Sequence, residues 1–383
     1  MFIIKNANIL TMTGKNREGE DILVKDGKIA EIGPNLTTPQ GTKEIDASGK
    51  TVMPGMIDPH THLGVFEEGN AFEGDDVNEL TGPITPELRA LDAINPFDVG
   101  LRDARTKGIT SVITGPGSGN VIGGQSYAIK TKGEIADEML MKEEPVGLKA
   151  AFGENPKRIY SSQKKSPSTR MATASLMRKA FFEAKEYQRK LEEADDDKSV
   201  DLDFKKEVLR KALNNELTVR AHAHRADDIM TAIRISKEFG FTLSIEHCTE
   251  GHKVAKQLKE HDIPAVVGPS MTARSKVELQ ERSFETPKAL YDEGVKFAIT
   301  TDHPVIPIYT LPICAALAVK EGLPKEEALK AITINAAEIA GIDDKVGTLE
   351  EGKDADILVF DGDPLSVESN LDYIFISGEE VTS

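Results

Sequence analysis

The chain has 383 residues, of which 39% are hydrophobic and 29% charged, with a formal net charge of -17. That length gives a prior of roughly two domains and ample material for a buried core. The acidic balance argues against nucleic acid or an anionic membrane as partner, and two cysteines, Cys248 and Cys314, imply no disulfide framework and fit a reducing cytoplasm.

Met1-Phe2-Ile3-Ile4 is apolar, but Lys5 follows at once, so no signal peptide is expected. No run of about 18 apolar residues suggests a membrane span, and no repeat of fixed period is present. Residues 1–53 read as short β-strands: Phe2-Ile3-Ile4, Ala7-Asn8-Ile9-Leu10, Asp21-Ile22-Leu23-Val24 and Lys28–Ile32, with Lys25-Asp26-Gly27 as a turn. Residues 341–383 behave similarly, with strands at Asp356–Phe360 and Tyr373–Ile376 around the break Asp361-Gly362-Asp363-Pro364. The two terminal segments are expected to pair into one small β-sandwich, leaving residues 54–340 as a single inserted domain.

That middle alternates strand-like and helical stretches, the pattern of βα units and a parallel sheet. One strand carries His60; seven more are expected at Thr110–Thr114, Ser126–Ile129, Val146–Phe152, Leu217–His222, Thr242–His247, Ala265–Val267 and Phe297–Asp302. Eight strands over this length suit an α/β fold of the (β/α)8 TIM barrel type, whose chemistry gathers at the C-terminal strand ends. Residues 66–98 form a long acidic segment, expected as a lid or mouth loop. Residues 170–214 read as a long charged helix, a break at Asp195-Asp196-Asp197-Lys198, and a second helix. The glycine-rich run Gly115–Gln125 lacks the Gly-Lys-Ser/Thr ending of a phosphate loop, so nucleotide binding is not expected. It reads either as backbone that approaches the substrate or as an ordinary flexible loop.

The eight histidines carry the functional signal. His60 and His62, in Ile57-Asp58-Pro59-His60-Thr61-His62, project to one face of a strand, where two imidazoles can hold one ion. His222, His224, His247 and His303 fall at or just past other strand ends, and Asp302 closes the last. Imidazoles and a carboxylate in this mix suit Zn²⁺, with Mn²⁺, Fe²⁺ and Ni²⁺ also compatible. The chemistry implied is metal-activated water, with a carboxylate to take its proton. His224 lies further out than His222, so it is expected to meet substrate.

Met53-Pro54-Gly55-Met56-Ile57-Asp58-Pro59-His60-Thr61-His62, the histidines at 222 and 247, Thr301-Asp302 and the tail Val346–Asp356 together resemble the amidohydrolase superfamily, over essentially the whole chain. Within it the chain looks most like the imidazolonepropionase-related and prolidase-like members. The resemblance implies a metal-dependent hydrolase with a (β/α)8 barrel and a β-sandwich built from both termini. Deaminases of the superfamily, and imidazolonepropionase itself, carry a proton-shuttling Glu three residues after the fifth-strand metal His. Here that position is Arg225, which stays charged at neutral pH and cannot shuttle a proton. Two-metal members often use a carboxylated Lys from the fourth strand, and Lys149 is the match. Lys149, Ala151 and Gly153 share one face of the strand, and Leu148 and Phe152 the other. A Lys placed inward is costly unless paired, modified or metal-bound; Glu154, of opposite parity, is the rival bridge.

These readings lead to an expected cytoplasmic amidohydrolase that cleaves a C–N bond of a small molecule, acyl amino acid or dipeptide. One or two divalent ions would be held by His60, His62, Lys149, His222, His247 and Asp302, with Asp302 as general base. Arg158, Arg225 and His224 are the expected substrate contacts, because a guanidinium clamps a carboxylate. A single-metal deaminase and a metal-free barrel scaffold are the alternatives, and the sequence leaves a homo-oligomer open.

Overall fold

Residues 1–69, 72–194 and 200–381 are described by the computed structural model of the chain. Alternating apolar residues at the N-terminus make β1 (Phe2–Ile9), β2 (Arg17–Lys25), β3 (Lys28–Gly33), β4 (Lys43–Asp46) and β5 (Thr51–Pro54). Asp26 and Gly27 join β2 to β3 with φ of 51° and 77°, the left-handed pair that a tight hairpin requires. The middle of the chain supplies β6 (Met56–Thr61), β7 (Ile109–Thr114), β8 (Ile122–Lys130), β9 (Gly147–Ala151), β10 (Val219–Ala223), β11 (Leu243–His247), β12 (Ala265–Val267) and β13 (Phe297–Ile299). The last strands are β14 (Ile357–Phe360), β15 (Leu371–Ile376) and β16 (Glu379–Glu380).

The terminal strands do come together, in one hydrogen-bonded sheet of order β16-β15-β14-β5-β1-β2-β3, with β4 also beside β1. A single sheet changes partner along β1, which pairs with β4 over Phe2–Lys5 and with β5 over Asn8–Ile9. It has its own core, including Ile4, Ile22, Val24, Val52, Val359 and Phe375.

The eight middle strands form the second sheet, in sequence order from β6 to β13. All eight lie where strands were expected, but one runs the wrong way for a regular (β/α)8 barrel. β8 is antiparallel to both β7 and β9. The reason is chain length: a parallel return needs a crossover of a dozen or more residues, and β7 is separated from β8 only by the stretch 115–121. The glycines there serve packing. A Cβ on Gly119 would lie 2.6 Å from Asn78 Oδ1, the atom that accepts its N–H at 2.7 Å. Residues 77–88 are thereby stitched to this hairpin, with Thr85 and Gln125 side chains bonding across it.

The ends of the barrel sheet meet at β6 and β13 through side chains as well as backbone. Asp58 accepts from Thr300 Oγ1 at 2.6 Å, Thr301 Oγ1 at 2.6 Å and Thr301 N at 3.0 Å, and from His60 N at 3.1 Å. His62 N donates to His303 O at 2.9 Å just beyond. Between β9 and β10 the helices Arg170–Glu192 and Phe204–Leu213 pack outside the barrel. Ala174, Met177, Phe181 and Ala184 recur at helical spacing on the buried stripe of the first, and Thr169 and Asp203 cap the two N-termini. The expected break at Asp195–Lys198 lies outside the described residues. No helix among the described residues is long and apolar enough to cross a membrane.

Candidate functional site

β6 delivers His60 and His62 side by side, their ring centroids 5.5 Å apart, with both residues buried. Asp302 reaches them from the loop after β13, with Oδ1 3.5 Å from His60 Nε2 and 3.3 Å from His62 Nε2. β10 points Arg220 and His222 to the same face, and His224 follows at its end. His247 closes β11. Parity alone would send Glu246 and His247 to opposite faces, but φ of 71° at His247 turns the imidazole back towards the axis. Asp302 has a φ of 54° for the same result, and such left-handed conformations at non-glycine residues are uncommon and concentrate at functional sites.

Two donor clusters result. His60, His62 and Asp302 form one, and His222, His224 and His247 the other, with the ligand atoms of each within 4.8 Å of one another. They are neighbours, since His247 Nδ1 lies 3.7 Å from Asp302 Oδ2 and its ring 4.9 Å from that of His60. Four of the five imidazoles use Nδ1 elsewhere: His62 on Gly115 O at 2.8 Å, His247 on Gly268 O at 2.8 Å, His224 on Thr249 Oγ1 at 2.7 Å, and His60 on Glu246 at 2.9 Å. A carbonyl only accepts, so His62 and His247 carry their proton on Nδ1, which leaves the Nε2 lone pair for another partner. His222 Nε2 and Asp302 Oδ1 are buried without any hydrogen bond. Buried polar atoms normally have partners, and an orphaned nitrogen in one cluster and an orphaned oxygen in the other fit divalent cations.

Lys149 lies inside the barrel on β9, fully buried, its Nζ 3.0 Å from His60 Nε2. Burial brings its ammonium down to about 8, against the restoring charges of Asp302 and Glu246. Glu154, the rival, lines the cavity wall at the start of the next helix. Burial lowers His222 to about 4, only partly offset by Glu278. For Asp302, burial alone would raise the carboxyl, yet the imidazoles of His247, His60 and His62 hold it well below its ordinary value.

Above the clusters opens a cavity of about 420 Å³, lined by His62, His222, His224, His247 and Asp302 below, and by Asn78, Ser118, Arg158 and Lys276 among others at the sides. His224 lines the cavity and also stands within the donor group of His222 and His247. One expectation needs correction. Arg225 turns away from the cavity into a two-point ion pair with Asp227, at 3.0 and 3.1 Å, because a carboxylate two residues on is its nearest bidentate partner. Sequence reasoning missed Arg220, Glu246 and Glu278. Arg220 shares the parity of His222 and could have been found that way; its Nε binds Glu246 at 3.1 Å.

A model of the amidohydrolase family matches residues 51–381. The structure is similar to that of an amidohydrolase from Thermotoga maritima, with a TM-score of 0.96 and 44% identity over 100% of both chains. Among curated proteins, amidohydrolase tasK of Hapsidospora irregularis is 30% identical over 94% of this chain, which spans only 39% of that protein's length. An imidazolonepropionase of Salinispora arenicola is 25% identical over 90% of this chain and 86% of its own.

Proposed function

The chain belongs to the amidohydrolase family, and we propose that it hydrolyses the C–N bond of a small cyclic amide, acyl amino acid or dipeptide at a two-ion centre. The observation that supports this most is the pair of adjoining donor clusters at the floor of one cavity. His60, His62 and Asp302 would hold one ion, and His222 and His247, joined by His224, the other. Zinc suits this donor chemistry. When bound, such ions polarise the scissile carbonyl and bring the pKa of water towards about 7. Asp302 receives the water's proton and returns it to the leaving nitrogen. Arg158, exposed at the rim without an ion-pair partner among the described residues, receives a carboxylate of the substrate. Cys248 and Cys314, both buried and unpaired, fit a cytoplasmic protein.

The test is metal analysis of protein purified without chelator, followed by a panel of N-acyl amino acids, dipeptides and cyclic amides. Two ions per chain and hydrolysis lost on chelation and restored by Zn²⁺ are expected. Full activity in the metal-free protein would overturn the reading, and ammonia released by deamination would move it to the deaminases.

Acid should strip one of the ions late. Burial holds His222 at about 4 and keeps His224 and His247 well below their ordinary 6.5. A base with a lowered pKa is neutral down to that pKa, so protons compete for these nitrogens only in distinctly acid solution. The ion of the His222, His224 and His247 cluster should therefore stay bound on dialysis from about pH 7.5 to about pH 5.5 and be lost towards pH 4. Loss of that ion already at neutral pH contradicts this.

A further inference from the structure

Glu278 lies in a short 3-10 turn, Val277–Leu279, in the connection after β12, a position with no strand periodicity to announce it, and is 3% exposed. Its Oε2 accepts the backbone N–H of Glu154 at 3.1 Å. That bond aims Oε1 at the second cluster, 3.6 Å from both His222 Nε2 and His224 Nε2. Oε1 finds no aligned hydrogen-bond donor; the Lys276 ammonium stands 2.5 Å away as its counter-ion. From that same position its Nζ also touches Asn155 Oδ1 at 3.3 Å. The backbone at the end of β9 is cut to admit this carboxylate. Gly153 has φ of +81°, and a Cβ there would lie 2.7 Å from Glu278 Oε2.

We infer that Glu278 is a fourth protein donor to the ion of the His222, His224 and His247 cluster, and that Lys276 is a resident counter-ion which that ion displaces. This rests on the two-ion reading above. A buried carboxylate oxygen aimed between two imidazole nitrogens is costly without a cation, and Lys276, a flexible and only partly buried side chain, supplies one that a bound ion can replace. The consequence is asymmetry. Whatever Lys149 adds to both ions, the second site is one protein donor richer than the site of His60, His62 and Asp302. Sites with four protein donors are typically closed, whereas three leave a position for water. The water that reacts is thus assigned to the first site, and the second ion is the tightly held one.

The test is Zn²⁺ titration of the chelator-treated full-length chain in competition with a chromophoric chelator, read as metal affinity rather than activity. Wild type should show two steps. Glu278→Gln keeps the shape and the acceptor for Glu154 N–H, and should weaken the tighter step on the order of 100-fold, the upper end of what losing even an outer partner costs. Lys276→Met removes the competing cation and should tighten that same step. Equal affinities in Glu278→Gln and wild type, or weakening by Lys276→Met, would overturn the inference. If wild type holds a single ion, the two-ion reading fails on its own. The donor assignment then stands if Glu278→Gln weakens that ion and falls if it does not.

Discussion

Asp302→Asn should retain most of the bound metal and lose roughly 10²-fold or more in turnover, the lower end expected for general acid–base catalysis. The amide keeps the size of the carboxylate and one oxygen, and the backbone around it is held independently. Thr301 N and Oγ1 are tied to Asp58, and Asp302 N donates to Thr300 Oγ1 at 3.1 Å. What the variant lacks is a group able to accept a proton between the two clusters, because an amide oxygen is not basic at any relevant pH. Measured as turnover on the best substrate of the panel, with metal content determined on the same sample, a near-normal rate would remove Asp302 from the mechanism.

Lys149→Ala should lower the metal content from about two ions to one or none, and abolish most activity. An ammonium cannot coordinate a cation, and Lys149 Nζ, 3.0 Å from His60 Nε2, as an ammonium would occupy the lone pair that an ion needs. The variant tests the proposal that the side chain contributes as a carbamate. In that step the neutral amine would attack carbon dioxide, forming an N–C bond and releasing one proton to solvent. Burial prepares that step: at about 8, the amine is neutral at physiological pH far more often than an ordinary Lys, by roughly two orders of magnitude. A carbamate's two oxygens and negative charge would offset the repulsion between two cations. Short carboxylic acids should restore part of the activity of Lys149→Ala and none of that of His60→Ala. If Lys149→Ala keeps two ions while Glu154→Ala loses them, the bridge belongs to Glu154.

Much of this arrangement was legible because strands have a period of two. His60 with His62, Arg220 with His222, and Lys149 with Ala151 each share a face by parity alone. What parity could not supply were the exceptions to it. The left-handed turns at His247 and Asp302 bring side chains to the axis that a regular strand would point elsewhere. Glu278 comes from a loop, where spacing carries no information about direction. The antiparallel β8 was readable in principle, since the loop before it is too short for a helix, but strand signals say nothing of polarity. Arg225 was misjudged because its neighbour Asp227 competes for it more effectively than any cavity could.

The barrel's seam carries a consequence for how the chain tolerates change. At most strand borders, backbone bonds hold the ladder and are indifferent to side-chain identity. Between β6 and β13 one carboxylate, Asp58, receives the hydroxyls of Thr300 and Thr301. These three positions are therefore a unit of substitution. Replacing any one strands the buried hydrogen-bonding groups of the others, so paired replacements are non-additive. A lineage or a library is confined to changing them together, and Asp302 inherits that restriction as the next residue along.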